Sequence, residues 1–123
     1  MKYLILINHN EQSRRTWESY CDDHRAALIK AHVQLAEDLA ESGEMVVSEA
    51  LTDPSQAKRI LVRDGKTTTT DGPFAELKEH LAGFYLVECE TIERAIEHAS
   101  RIPEAAFGTV EVRPVLSRVS PEL

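Results

Sequence analysis

The stretch Lys2-Tyr3-Leu4-Ile5-Leu6-Ile7-Asn8 decides how this chain folds. Its central residues are apolar without alternation and rich in β-formers, the pattern of a strand buried on both faces. Leu81 to Cys89 carries the same pattern later in the chain. Two such strands need neighbours on either side and layers above and below, so the reading turns on what lies between them.

Polar residues from His9 to Ser13 close the first run. From Arg14 to Ser42 there is neither Gly nor Pro, and Trp17, Cys21, His24, Leu28, Leu35 and Leu39 recur at helical steps. Their stripe spans about 60° at 100° per residue, one face of a single long amphipathic helix with Ser13 as N-cap and Gly43 just past its end. Glu44 to Leu51 reads as a strand and Thr52-Asp53-Pro54-Ser55 as a turn. Arg59 to Arg63 and Lys66 to Thr70 flank Asp64-Gly65, a hairpin signal. Pro73, in Asp71-Gly72-Pro73-Phe74, has no N–H to offer a central strand and marks a break. Thr91 caps a short helix bearing Ile92, Ala95, Ile96 and Ala99 that stops by Pro103, and Thr109 to Leu116 alternates as a last strand.

The order β-α-β-(hairpin)-β-α-β predicts an α+β protein with a ferredoxin-like βαββαβ protomer and an inserted β-hairpin. Right-handed crossovers place the first and third main strands at the centre of the sheet, which are the two apolar runs. Both helices then cover one face. The other face of the central strands is apolar too, and a second copy packed sheet to sheet as a closed homodimer would cover it. The alternative is that the hairpin, Lys58 to Thr70, folds across it.

The 123 residues make one domain, 1–123, since a domain commonly takes roughly 100 to 200. With 14 Lys plus Arg against 21 Asp plus Glu, the net charge of −7 disfavours direct nucleic-acid binding, which relies on clustered cations. The opening apolar run is too short for a secretory core or a membrane span, so a cytoplasmic location with Cys21 and Cys89 reduced is expected.

The five histidines show no HxH or HExxH spacing, and the chain has no glycine-rich phosphate loop and no GxSxG elbow. No metal or other cofactor is expected. On the helical wheel His24 falls about 20° and His32 about 60° from Trp17, on or beside the buried stripe. An imidazole facing a sheet is either a satisfied core residue or a general base. Asp71 either braces its turn through backbone N–H groups or orients a histidine. His9 ends the first strand, where a pocket can open. His80 and His98 are expected at the surface, and Cys21 in the core.

The start Met1 to Ile7, Asp64-Gly65-Lys66, Thr70-Asp71-Gly72-Pro73-Phe74-Ala75-Glu76 with Lys78-Glu79, Gly83-Phe84-Tyr85-Leu86 and Glu111-Val112-Arg113-Pro114 together resemble the DGPF-domain branch of the YCII-related proteins. The resemblance runs from end to end. It implies a dimeric alpha+beta barrel and a small-molecule enzyme using a His and Asp pair; one relative eliminates chloride from a chlorinated hydroxyquinol. DGPF proteins are also linked by gene association with extracytoplasmic-function sigma factors. The YCII histidine, eleven residues before the glycine that ends the first helix, corresponds here to His32, and the Asp carries over to Asp71.

These readings combine into an expected cofactor-independent lyase or isomerase acting on a small aromatic or cyclic compound. His32 would move the proton, Asp71 would orient it, and His24, Phe74 and His9 would contact substrate. The competing expectations are a non-catalytic module that binds a metabolite or a protein partner such as a sigma factor, and a structural dimer whose DGPF turn only shapes the fold.

Overall fold

The computed structural model describes residues 1–74 and 76–117; Ala75 of the quoted DGPF stretch lies outside them. In chain order the elements are β1 (Lys2–Asn10), α1 (Glu11–Ser19), α2 (Asp22–Ser42), β2 (Met45–Ala50), a 3-10 turn (Pro54–Gln56), β3 (Lys58–Arg63), β4 (Lys66–Asp71), β5 (Glu79–Glu88), α3 (Ile92–Ser100), a second 3-10 segment (Pro103–Phe107) and β6 (Val110–Pro114). The main sheet is antiparallel with order β2-β5-β1-β6, which is the ferredoxin-like arrangement with the two apolar strands central. No helix among the described residues is long and apolar enough to cross a membrane.

Cross-strand partners share a face, so the pairs Tyr3–Val87, Ile5–Tyr85 and Ile7–Gly83 all point one way. Against them pack Leu35 and Leu39 of α2, Ala95 and Ala99 of α3, and Ile102, forming one core on the helix side. The pairs Leu4–Leu86 and Leu6–Phe84 occupy the opposite face and are only half-buried. The hairpin does not cover them: β3 and β4 form a separate two-stranded sheet, and every residue in both strands is exposed. Its turn is as expected, with Asp64 (φ 50°) and Gly65 (φ 74°) both left-handed, the torsions a two-residue hairpin turn requires.

The single long helix is in fact two. Tyr20 and Cys21 are both extended, with ψ of 146° and 164°, and they separate α1 from α2. Asn10 is the N-cap of α1: its side chain accepts from the Ser13 N–H, while the Ser13 hydroxyl accepts from the Asn10 N–H. Ser13 is thus the third residue of a capping box. Asp22 and Asp23 open α2, where carboxylates complement the partial positive charge of a helix N-terminus. Gly43 closes α2 in the left-handed region as predicted.

Burial differs from expectation at two further positions. Cys21, read as core, is exposed because it sits in the break between helices. His98, read as surface, is buried because α3 turns it towards the start of β2, where the Glu44 carboxylate meets its Nε2 at 3.1 Å.

Candidate active site

Near the C-terminal end of β1 the central ladder slips. Ile7 pairs with Gly83 but Asn8 pairs with Leu81, so Ala82 is an extra residue on β5. Its carbonyl accepts from the Leu51 N–H at 2.7 Å, which ties down the chain leaving β2. Such bulges bend a strand and re-aim its side chains. Here the bend lies at the floor of a cavity of about 660 Å³ lined by residues of β1, α1, α2, β2, β5 and the second 3-10 segment.

His32 reaches this cavity from the middle of α2. Its Nδ1 lies 2.9 Å from the Tyr85 hydroxyl, and its Nε2 lies 2.8 and 2.9 Å from the two carboxylate oxygens of Glu104. A carboxylate only accepts, so Nε2 carries the hydrogen in the neutral ring, leaving Nδ1 to accept from the tyrosine O–H. The three side chains therefore form a directed chain from Tyr85 through His32 to Glu104. Tyr85 is buried in the core at 5% exposure, and a buried phenol needs a hydrogen-bond partner. Burial, with the Glu104 charge nearby, pushes its pKa above the usual tyrosine value. Glu104 is also buried, and the Thr109 hydroxyl donates to its backbone carbonyl at 3.1 Å, fixing the short segment that carries it.

His9 lines the same cavity. Its Nδ1 is 3.1 Å from the Ser13 hydroxyl, and its ring stacks on His80 with centroids 6.2 Å apart. Burial lowers its pKa; Glu104 opposes that shift, while His80, Arg14 and His32 add to it. Ile7, Trp17 and Leu51 supply apolar wall, and Arg14, paired with Asp53 at 3.1 Å, supplies a cation.

Of the residues singled out from sequence, the cavity brings together His32 and His9. His80, expected at the surface, joins them, half-buried. Phe74 lines an adjoining, wider groove that shares His80, Arg14 and Asp53 with the cavity; the Arg59 guanidinium lies over its ring at 3.9 Å. His24 is exposed on α2 with its ring 4.0 Å from that of Tyr20, outside both hollows. Asp71 ends β4, exposed, and pairs with Lys58 across the base of the hairpin. Within the chain the carboxylate on His32 is thus Glu104.

Sequence reasoning passed over Tyr85 and Glu104. The tyrosine carried a usable signal, since a hydroxyl in a strand apolar on both faces must be satisfied inside. Glu104 carried none, because it follows Pro103 in a segment without periodicity and meets His32 across 72 residues.

An open antiparallel sheet with helices on one face, and an acid–base chain at the bottom of a cavity, define a small ferredoxin-like protein with a built polar site. The family model for the YCII-related domain matches residues 1–118. An uncharacterised protein of Rhizobium meliloti (strain 1021) is 32% identical over 117 residues, covering 94% of this chain and 92% of that protein. The chain belongs to the YCII-related family.

Proposed function

We propose that this protein is a small-molecule enzyme that removes and returns a proton at the Tyr85–His32–Glu104 chain. The observation that carries the reading is that both ring nitrogens of His32 are engaged, one by a cavity-lining phenol and the other by a buried carboxylate. The group that meets substrate is then the Tyr85 oxygen. As a substrate proton passes to that oxygen, the phenolic hydrogen passes to His32 Nδ1, and the imidazolium is neutralised by Glu104. The reverse sequence returns a proton to product. Lyase or isomerase chemistry needs no more than this, and a positioned relay of this kind contributes about 10² to 10⁴ in rate.

The lining, which also carries Glu18, Glu49 and Asp53, favours a compact organic molecule with an apolar body against Trp17, Ile7 and Leu51 and a polar group near Arg14, His9 and His80. The DGPF-turn aspartate has a bracing role in this scheme, since Asp71 is engaged by Lys58.

The test is deuterium exchange. Small hydroxy and oxo acids, aliphatic and aromatic, are incubated with the protein in D₂O, and label entering beside the carbonyl is followed by NMR. Exchange with the wild-type chain that falls about 10²-fold or more in Tyr85→Phe and His32→Ala supports the relay. Exchange that survives both substitutions overturns it, and binding without exchange favours a metabolite-binding module.

A further inference from the structure

At the opposite end of the sheet a second polar cluster lies outside the cavity. Glu44 precedes β2, Cys89 follows β5, and His98 is on the inner face of α3; one ligand atom from each falls within 4.8 Å of the others. Among the described residues this is the one group of three His, Cys, Asp or Glu side chains so arranged. Glu44 Oε2 is 3.3 Å from Cys89 Sγ and 3.1 Å from His98 Nε2. We propose that Glu44, Cys89 and His98 form a binding site for one thiophilic divalent cation of the zinc class.

Geometry and charge both support the assignment. A tetrahedral zinc with bonds of about 2.0 Å to N and O and 2.3 Å to S has ligand–ligand edges of about 3.3 to 3.6 Å. The two contacts above fall short of such edges by only about 0.2 Å, and the third pair, Cys89 and His98, lies within 4.8 Å, so side-chain shifts draw all three onto one ion. A carboxylate and a thiolate balance a dication, and imidazole completes a mixed O, N, S set suited to zinc. Cys89 and His98 are buried while Glu44 keeps 16% of its side chain exposed, so the carboxylate is the side of the cluster reached from solvent. The three residues come from elements fixed by the sheet and α3, so the site is held before the ion arrives.

Without an ion, Arg94 occupies the role of cation. Its Nε and a terminal nitrogen donate to the two Glu44 oxygens at 3.2 and 3.0 Å, and Ser42 donates at 2.8 Å. A thiol ordinarily carries its hydrogen at neutral pH, and only the thiolate ligates a metal. Binding must therefore expel the thiol proton: Cys89–SH plus M²⁺ gives Cys89–S–M⁺ and H⁺. Arg94 is partly exposed and competes for Glu44, so its removal should tighten binding.

The experiment titrates the untagged, chelator-treated full chain with Co²⁺, whose thiolate charge-transfer band reports a Co–S bond. One equivalent is expected to produce the band with release of one proton, and excess Zn²⁺ to abolish it. His98→Ala should weaken binding by about tenfold or more, and Arg94→Gln should strengthen it. The chain has two cysteines, so a band unchanged in Cys21→Ser assigns the sulfur to Cys89 even if Cys89→Ser fails to fold. No band in the wild-type chain, or a band lost in Cys21→Ser, overturns the site and leaves an ion-pair cluster closed by Arg94.

Discussion

His32 has no free ring nitrogen, and that constrains every residue near it. Removing the Glu104 charge while keeping its shape leaves the imidazole held but its cation unsupported, so Glu104→Gln should lose exchange without losing the fold. His9 feels the same carboxylate yet is governed by burial, which holds its pKa below 6.5. Between its folded value and 6.5 the unfolded chain binds more protons than the folded one. His9 thus contributes stability above pH 6.5 that is lost as pH falls through that window. Urea unfolding at steps from pH 7.5 to 5.5 should show a steeper loss for the wild type than for His9→Asn. Equal slopes would show that burial does not set the His9 titration.

At the scale of elements, the hairpin explains why the Asp71-Gly72-Pro73-Phe74 turn is so specific in composition. The Gly72 N–H donates to the Ala57 carbonyl at 2.8 Å, and a Cβ built on Gly72 would stand 2.2 Å from the Pro54 carbonyl oxygen. The turn therefore closes against the 3-10 turn at Pro54–Gln56, and backbone cannot yield as a flexible side chain would. Gly72→Ala should lower stability by about 1 to 3 kcal/mol, read as a lower urea midpoint, with the main sheet intact by circular dichroism. A neutral result would mean that the hairpin base is free to shift. The sheet order was legible because strands buried on both faces have a distinct composition, and the hairpin because Asp64-Gly65 demands left-handed torsions. The break at Tyr20-Cys21 was not, since neither residue is a helix breaker and the apolar stripe runs on through it; only Asp22-Asp23 mark the new N-terminus. His32 could be placed by helical phase alone. Its partners, like the convergence of Glu44 with Cys89 and His98, depend on where separate elements meet, which no local spacing records.

At the scale of the molecule the unresolved demand is the second face of the sheet. Leu4, Leu6, Phe84 and Leu86 form a contiguous apolar patch at its centre, with Val47 beside it 36% exposed. The hairpin, the only other candidate within the described residues, stands apart with Ile60 and Val62 more than 60% exposed. Full burial of an exposed Leu or Phe side chain is worth about 1.5 to 3 kcal/mol, and covering the half of each that remains accessible gains a fraction of that, so four together favour association. A second copy laid face to face satisfies it with a closed two-fold contact. Leu6 pairs with Phe84 in the middle of this patch, and a charge there would be buried without a partner in any such dimer. Light scattering after gel filtration at micromolar concentration should give twice the chain mass for the wild type and the single chain mass for Leu6→Glu, with the helical signal retained because that side chain does not enter the helix-side core. A wild-type monomer would mean that the patch is tolerated in water, and the apolar reading of the first seven residues would then describe the core of one chain alone.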